Sequence, residues 1–172
     1  VDMALIITSV RKPDLSLNLL DKLISNITYN KIEPVICFTK LDLLSFSEKM
    51  KLRKIIKYYK SIGIEVVTNK SISKVKKVLS NKIVVLTGQT GAGKSSLLNR
   101  LDNSLDVKTD EISEALGRGI HTTRHVELYE IGEGFIADTP GFSALDFKDM
   151  DREQLRDTFI EFKNECKYRD CM

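Results

Sequence analysis

The sequence predicts an α/β domain built on a doubly wound, mainly parallel sheet, and two features carry that expectation. Short runs rich in Val and Ile alternate with segments whose apolar residues recur every three or four positions. That is the pattern of buried parallel strands joined by crossover helices. A glycine-rich stretch, Gly88-Gln89-Thr90-Gly91-Ala92-Gly93-Lys94-Ser95, falls where one such strand run gives way to one such helical pattern.

In chain order, the strand runs are residues 4–8, 35–38, 64–67 and 83–86. After the turn Pro13-Asp14, the spacing of Leu17, Leu20, Leu23, Ile24 and Ile27 predicts a first helix. Ser45 and Glu48 form a capping box ahead of a second helix over 47–61, with Leu52, Ile55, Ile56 and Tyr59 on one face. Val75, Val78 and Leu79 predict a short third helix. A fourth begins inside the glycine-rich stretch and buries Leu97, Leu98 and Leu101. Next comes a hairpin, 125–130 with 135–138, turning at Gly132-Glu133-Gly134. A charged helix over 152–165 ends the pattern and is expected to lead into another domain.

The 172 residues are 42% hydrophobic, enough for one domain with a substantial core. A net charge of +3 selects no class of partner. The apolar stretch 3–10 is broken by Thr8 and Ser9, is far short of the ~20 residues a bilayer needs, and lacks the basic lead of a signal peptide. Three cysteines without framework spacing fit a reducing, cytoplasmic compartment. The opening Val1-Asp2, in place of an initiator methionine, suggests a segment of a longer protein.

The stretch from Gly88 to Ser95 reads G-x-x-x-x-G-K-S, the phosphate loop of nucleoside triphosphate-binding proteins. Its glycines let backbone N–H groups converge on a phosphate, and the helix that follows aims the positive end of its dipole there. Lys94 is the cation for the β- and γ-phosphates, and Ser95 the hydroxyl for Mg²⁺. Gln89, Thr90, Gly91, Ala92, Gly93 and Ser96 complete the candidate cradle.

Thr39-Lys40-Leu41-Asp42, at the end of a strand run, matches the guanine-reading pattern [N/T]-K-x-D. A carboxylate at Asp42 accepts both N1–H and N2–H of guanine and repels the lone pair at N1 of adenine. Lys40 can lie along the base and brace the phosphate loop, whereas Thr39 offers fewer bracing bonds than the commoner Asn. Thr68-Asn69-Lys70, after the next strand, stands where a backbone N–H would contact guanine O6.

Two further loops complete a GTP site. Asp138-Thr139-Pro140-Gly141 ends a strand, placing Asp138 to hold Mg²⁺ through water and Gly141 to sense the γ-phosphate. The run 117–124, Gly-Arg-Gly-Ile-His-Thr-Thr-Arg, reads as the other switch, with Thr123 a candidate Mg²⁺ ligand. The base reader here precedes the phosphate loop, the reverse of the ordinary order, so the domain reads as a circularly permuted phosphate-loop GTPase. Its second switch feeds directly into whatever follows residue 145, a route for nucleotide state to reach a C-terminal domain.

These strings resemble the ribosome small subunit-dependent GTPase A family, also called YjeQ or YloQ. The resemblance covers essentially the whole chain: the TKLD motif, GQTGAGKSSLLN, GRGIHTTRHVELY, DTPGFS and CKYRDC. It implies a GTPase core over 1–150, the start of a truncated zinc-binding domain over 151–172, and an OB-fold N-terminal to this segment. It also implies GTP hydrolysis stimulated by the small ribosomal subunit during late maturation, with GTP or GDP, that subunit and its rRNA as partners. A monomer with no membrane association is expected. Cys166 and Cys171 are half of the family's zinc site, so ordered Zn²⁺ is not expected within this segment. A K⁺ requirement is not expected either, since Gly91 stands where related GTPases keep an asparagine.

Many GTPases place a water-orienting glutamine just after the switch glycine, but here that residue is Phe142. His121 is the first candidate for the missing role and His125 the second, with a surface histidine as the plain alternative. The second helix carries Lys49, Lys51, Arg53, Lys54, Lys57 and Lys60 against Glu48 alone. A solvated face is the nearer reading and contact with ribosomal RNA the other. Cys37 reads as a small buried apolar residue. The alternatives to the leading reading are a nucleotide-gated module with negligible turnover, another permuted ribosome-assembly GTPase, and an ATPase, which Asp42 opposes.

Overall fold

The computed structural model describes residues 1–102, 127–138 and 150–163. In chain order the elements are β1 (Met3–Ser9), α1 (Leu17–Tyr29), β2 (Glu33–Thr39), α2 (Phe46–Ser61), β3 (Glu65–Thr68), α3 (Ile72–Leu79), β4 (Ile83–Thr87), α4 (Lys94–Leu101), β5 (Glu127–Ile131), β6 (Gly134–Asp138) and α5 (Arg152–Asp157). The six strands among the described residues form one sheet in the order β3-β2-β1-β4-β6-β5. Every neighbouring pair is parallel except the β5–β6 hairpin.

Strand alternation divides the core into two layers, as the doubly wound expectation requires. Ala4 and Ile6 of β1, with Ile36 and Phe38 of β2, face Leu20, Leu23, Ile24 and Ile27 of α1 and Leu52 and Tyr59 of α2. Met3, Leu5 and Ile7, with Val35 and Cys37, face Val75 and Leu79 of α3 and Leu97, Leu98 and Leu101 of α4. All seven residues of β1 are buried, so it is the central strand. Each of its large aliphatic side chains contributes about 2–3 kcal/mol by leaving water. Burial also pushes the Cys37 thiol up to about 12, which leaves it a packed apolar group.

Local chemistry sets the helix starts. The Ser16 side chain accepts from the Leu19 amide, and the predicted capping box is present: Ser45 receives the Glu48 amide while Glu48 receives the Ser45 amide at 2.8 Å. Two expectations are corrected. The hairpin turns on Gly132-Glu133 alone, and Gly134 opens β6, where a Cβ would stand 2.2 Å from the Leu79 carbonyl oxygen. The last helix ends at Asp157 and gives way to the 3-10 turn Ile160–Lys163. Thr158, buried, donates its hydroxyl to Leu155 O at 2.6 Å and meets the Ser25 hydroxyl on α1, while Ile160 joins the α1–α2 core. These tertiary contacts override the helical propensity of the charged residues that follow.

Candidate nucleotide site

The strand order makes a crevice. From β1 the chain builds outward to β2 and β3, then returns to lay β4 on the other side of β1. Ligands of open parallel sheets bind at such a switch point, beyond the carboxyl ends of the strands. The TKxD segment leaves β2, the phosphate loop leaves β4, and Thr68-Asn69-Lys70 leaves β3. Asp138 closes β6 beside β4.

Gly88 turns the chain off β4 with φ +134°, so close to β1 that a Cβ would lie 2.0 Å from Ile7 O. The loop tightens through an Ala92 N–H donating to Gln89 O at 3.1 Å. Gly93, at φ +97°, caps α4, and the Leu97 amide returns to Gly93 O at 3.0 Å. Lys94, only 7% exposed, lays Nζ over the loop, donating to Gly88 O at 2.8 Å and Gln89 O at 2.9 Å. Desolvation lowers its pKa from the ordinary lysine range. Among the described residues no acid pairs with it; a buried ammonium held by neutral carbonyls is complementary to a phosphate. The N-terminus of α4 adds its dipole at the same point. The residues present therefore fit a nucleoside phosphate. For a companion Mg²⁺, the buried Ser95 in the first turn of α4 is the described hydroxyl.

The base-reading segment is bonded to this loop. Thr39, 1% exposed, donates its hydroxyl to Ala92 O at 2.6 Å, with Thr8 O a longer 3.4 Å away. Lys40 adopts φ +58° and donates from Nζ to Gly91 O at 2.7 Å and to Lys12 O. The expected brace by Lys40 is present. A single Thr39 hydroxyl, with one proton, supplies one strong bond to the loop. Asp42 sits exposed in the 3-10 turn Leu41–Leu43. In the third segment the Asn69 amide is committed to Phe38 O at 3.1 Å and Asn69 O accepts from Arg100 at 2.8 Å. The Asn69 amide is therefore not the one available to guanine O6.

The loop between β1 and α1 joins the site without any sequence signal. Lys12 O shares the Lys40 ammonium with Gly91, and Pro13 lies against Gly91, where a Cβ would stand 3.8 Å from the proline ring. Backbone carbonyls leave no signature in residue type. Arg11 pairs with Glu48, so the same loop also holds the start of α2. Arg100 was also missed; its charge, in the last turn of α4, was its only signal. His121, His125, Thr123, Gly141, Phe142, Cys166 and Cys171, and the side chain of Asp138, lie outside the described residues.

A phosphate loop at the switch point of a doubly wound sheet, tied to a TKxD segment that precedes it in sequence, defines a circularly permuted phosphate-loop nucleotide-binding domain. Residues 1–148 match the RsgA GTPase family. The chain belongs to that family. It is 47% identical to small ribosomal subunit biogenesis GTPase RsgA 2 of Listeria monocytogenes, over 100% of this chain and 61% of the relative. It is 42% identical to small ribosomal subunit biogenesis GTPase RsgA of Enterococcus faecalis, over 100% of this chain and 60% of the relative. The chain thus spans about three fifths of the length of these curated relatives. The crystal structure of YloQ, a circularly permuted GTPase, superposes with a TM-score of 0.79 at 33% identity, covering 99% of this chain and 56% of that one. YjeQ from Thermotoga maritima does so with a TM-score of 0.79 at 29% identity, covering 99% and 59%.

Proposed function

We propose that this chain is the GTP-hydrolysing core of a factor acting in late maturation of the small ribosomal subunit. The observation that carries the reading is the bonding of Thr39 and Lys40 to the carbonyls of Ala92 and Gly91, which couples base reader and phosphate loop. The names of the relatives supply the ribosomal context.

In this reading, loop amides and Lys94 hold the β- and γ-phosphates and stabilise the charge that shifts onto the β–γ bridging oxygen as that bond breaks. Asp42 selects guanine, and the Asn69 loop borders the base. Ser95, with Thr123 and Asp138, would hold Mg²⁺, whose chemistry is neutralisation of triphosphate charge. Gly141 senses the γ-phosphate. Phe142 cannot orient the attacking water; His121 takes that part, with the subunit and its rRNA completing the site. Residues 1–150 are the GTPase domain and 151–172 the start of a further domain, in which Cys166 and Cys171 are two of four Zn²⁺ ligands. The protein works as a cytoplasmic monomer.

Competition among GTP, ATP and XTP tests the base assignment: Asp42→Asn should exchange GTP preference for XTP. Single-turnover hydrolysis with and without small subunits, using the full-length protein, tests the rest. Stimulation absent from wild type would favour a nucleotide-gated module. His121→Ala should lower stimulated kcat while leaving GTP affinity nearly intact.

A further inference from the structure

One flank of α2 is covered, where Tyr58 donates to Glu161, and the rest of its solvent face carries a run of cations. Lys49, Lys51, Arg53, Lys54, Lys57 and Lys60 are all exposed, and none pairs with an acid among the described residues. The helix's one carboxylate, Glu48, is committed to Ser45 and Arg11. Lys49 with Arg53, and Arg53 with Lys57, are like charges four apart, and Lys51, Lys54, Lys57 and Lys60 repeat every three. Such pairs repel, and Lys49 also opposes the helix dipole near its N-terminus. Phe46 is 80% exposed and Met50 41%. At helical spacing Phe46, Met50, Arg53 and Lys57 form one stripe opposite the buried Leu52 and Tyr59. Lys49 to Lys60 spans about 16 Å.

We infer that this face is an RNA-docking surface, its cations lying along phosphates and Phe46 stacking on an unpaired base. A polyanion relieves the repulsion along the helix, and every unpaired nucleotide offers, beside its phosphate, a flat base on which the exposed aromatic at the N-terminal end can stack. The inference deepens the proposed function, on which it rests for the source of the RNA.

The probe is a fluorescein-labelled RNA stem-loop with a single-stranded tail, read by anisotropy across a salt series with this chain. Arg53→Ala/Lys57→Ala should weaken binding about tenfold and lower the slope of log K against log salt by about 2. Phe46→Ser should weaken the tailed RNA about tenfold and leave a blunt stem-loop unaffected. Lys74→Ala/Lys77→Ala on α3 removes the same charge elsewhere and should change affinity less than twofold. Unaltered melting temperature and GDP affinity certify each variant, with Lys54→Ala/Lys60→Ala as the substitute pair if one misfolds. Equal losses from the α2 and α3 pairs, no RNA binding by wild type, or equal binding of polyglutamate would each overturn the inference. Subunit-stimulated GTP turnover reads the proposed function separately: its absence beside a selective α2 effect would sink the ribosomal role and leave the surface standing.

Discussion

The Thr39 hydroxyl donates to the Ala92 carbonyl across 2.6 Å, joining the end of β2 to the middle of the phosphate loop. Both groups are buried, so the bond has no solvent substitute. Thr39→Val preserves shape and orphans the carbonyl. The expected loss is about 1–3 kcal/mol of stability in urea titration, together with weaker GDP binding. Unchanged GDP affinity at the reduced stability would remove the brace from nucleotide recognition.

Gly88→Ala should be far more damaging than its single methyl suggests. The added Cβ would stand 2.0 Å from Ile7 O at φ +134°, so either the loop or the central strand must move. A loss above about 2 kcal/mol is expected, with no measurable GDP binding. Chemical denaturation beside calorimetric titration would test both parts.

Lys94 carries an alkaline signature. Its folded pKa lies below the ordinary 10.5, so between the two values the unfolded chain binds more protons and stability gains with rising pH. Tyr58 and Tyr59 act the other way there, because Glu161 and its hydrogen bond raise the first to about 12, while burial and then Asp21 raise the second. The difference between wild type and Lys94→Met isolates the lysine. Nucleotide-free wild type should gain on the variant as pH approaches 10.5, and the variant should bind GDP on the order of a hundredfold more weakly. A flat stability difference would contradict the buried-cation account.

Glu48 carries an acid signature. Bonds from the Ser45 amide and hydroxyl, then the Arg11 guanidinium, hold its carboxyl at about 2 against an ordinary 4.5. The unfolded chain therefore takes the proton first as pH falls. The stabilisation is complete above about pH 4.5 and disappears toward pH 2. The melting-temperature advantage of wild type over Glu48→Gln should shrink over that interval. An advantage constant from pH 6 to 2.5 would refute the assignment.

Much of the fold was legible because the central strands announce themselves: β1, β2 and β4 are buried on both faces, so their apolar runs are continuous. The capping box at Ser45 and Glu48 was readable because both partners are local. The site was legible where chemistry demands a residue type, as at Gly88, Lys94, Thr39 and Lys40. It was silent where the group is a backbone carbonyl, as at Lys12, or where a glycine serves a strand instead of a turn, as at Gly134. The over-extended last helix failed for a related reason, since Thr158 and Ser25 meet across 133 positions of sequence.

The strand order β3-β2-β1-β4 also sets a schedule. On an elongating chain, residues 1–70, which carry β1, β2 and β3 with α1 and α2, emerge ahead of the phosphate loop. The half that carries the TKxD segment is thus available as the template on which the half that carries the phosphate loop is laid. The seam between β1 and β4, where the last-made half must dock, runs directly beneath the crevice, so a nucleotide bound there would be the final rivet in the domain's assembly.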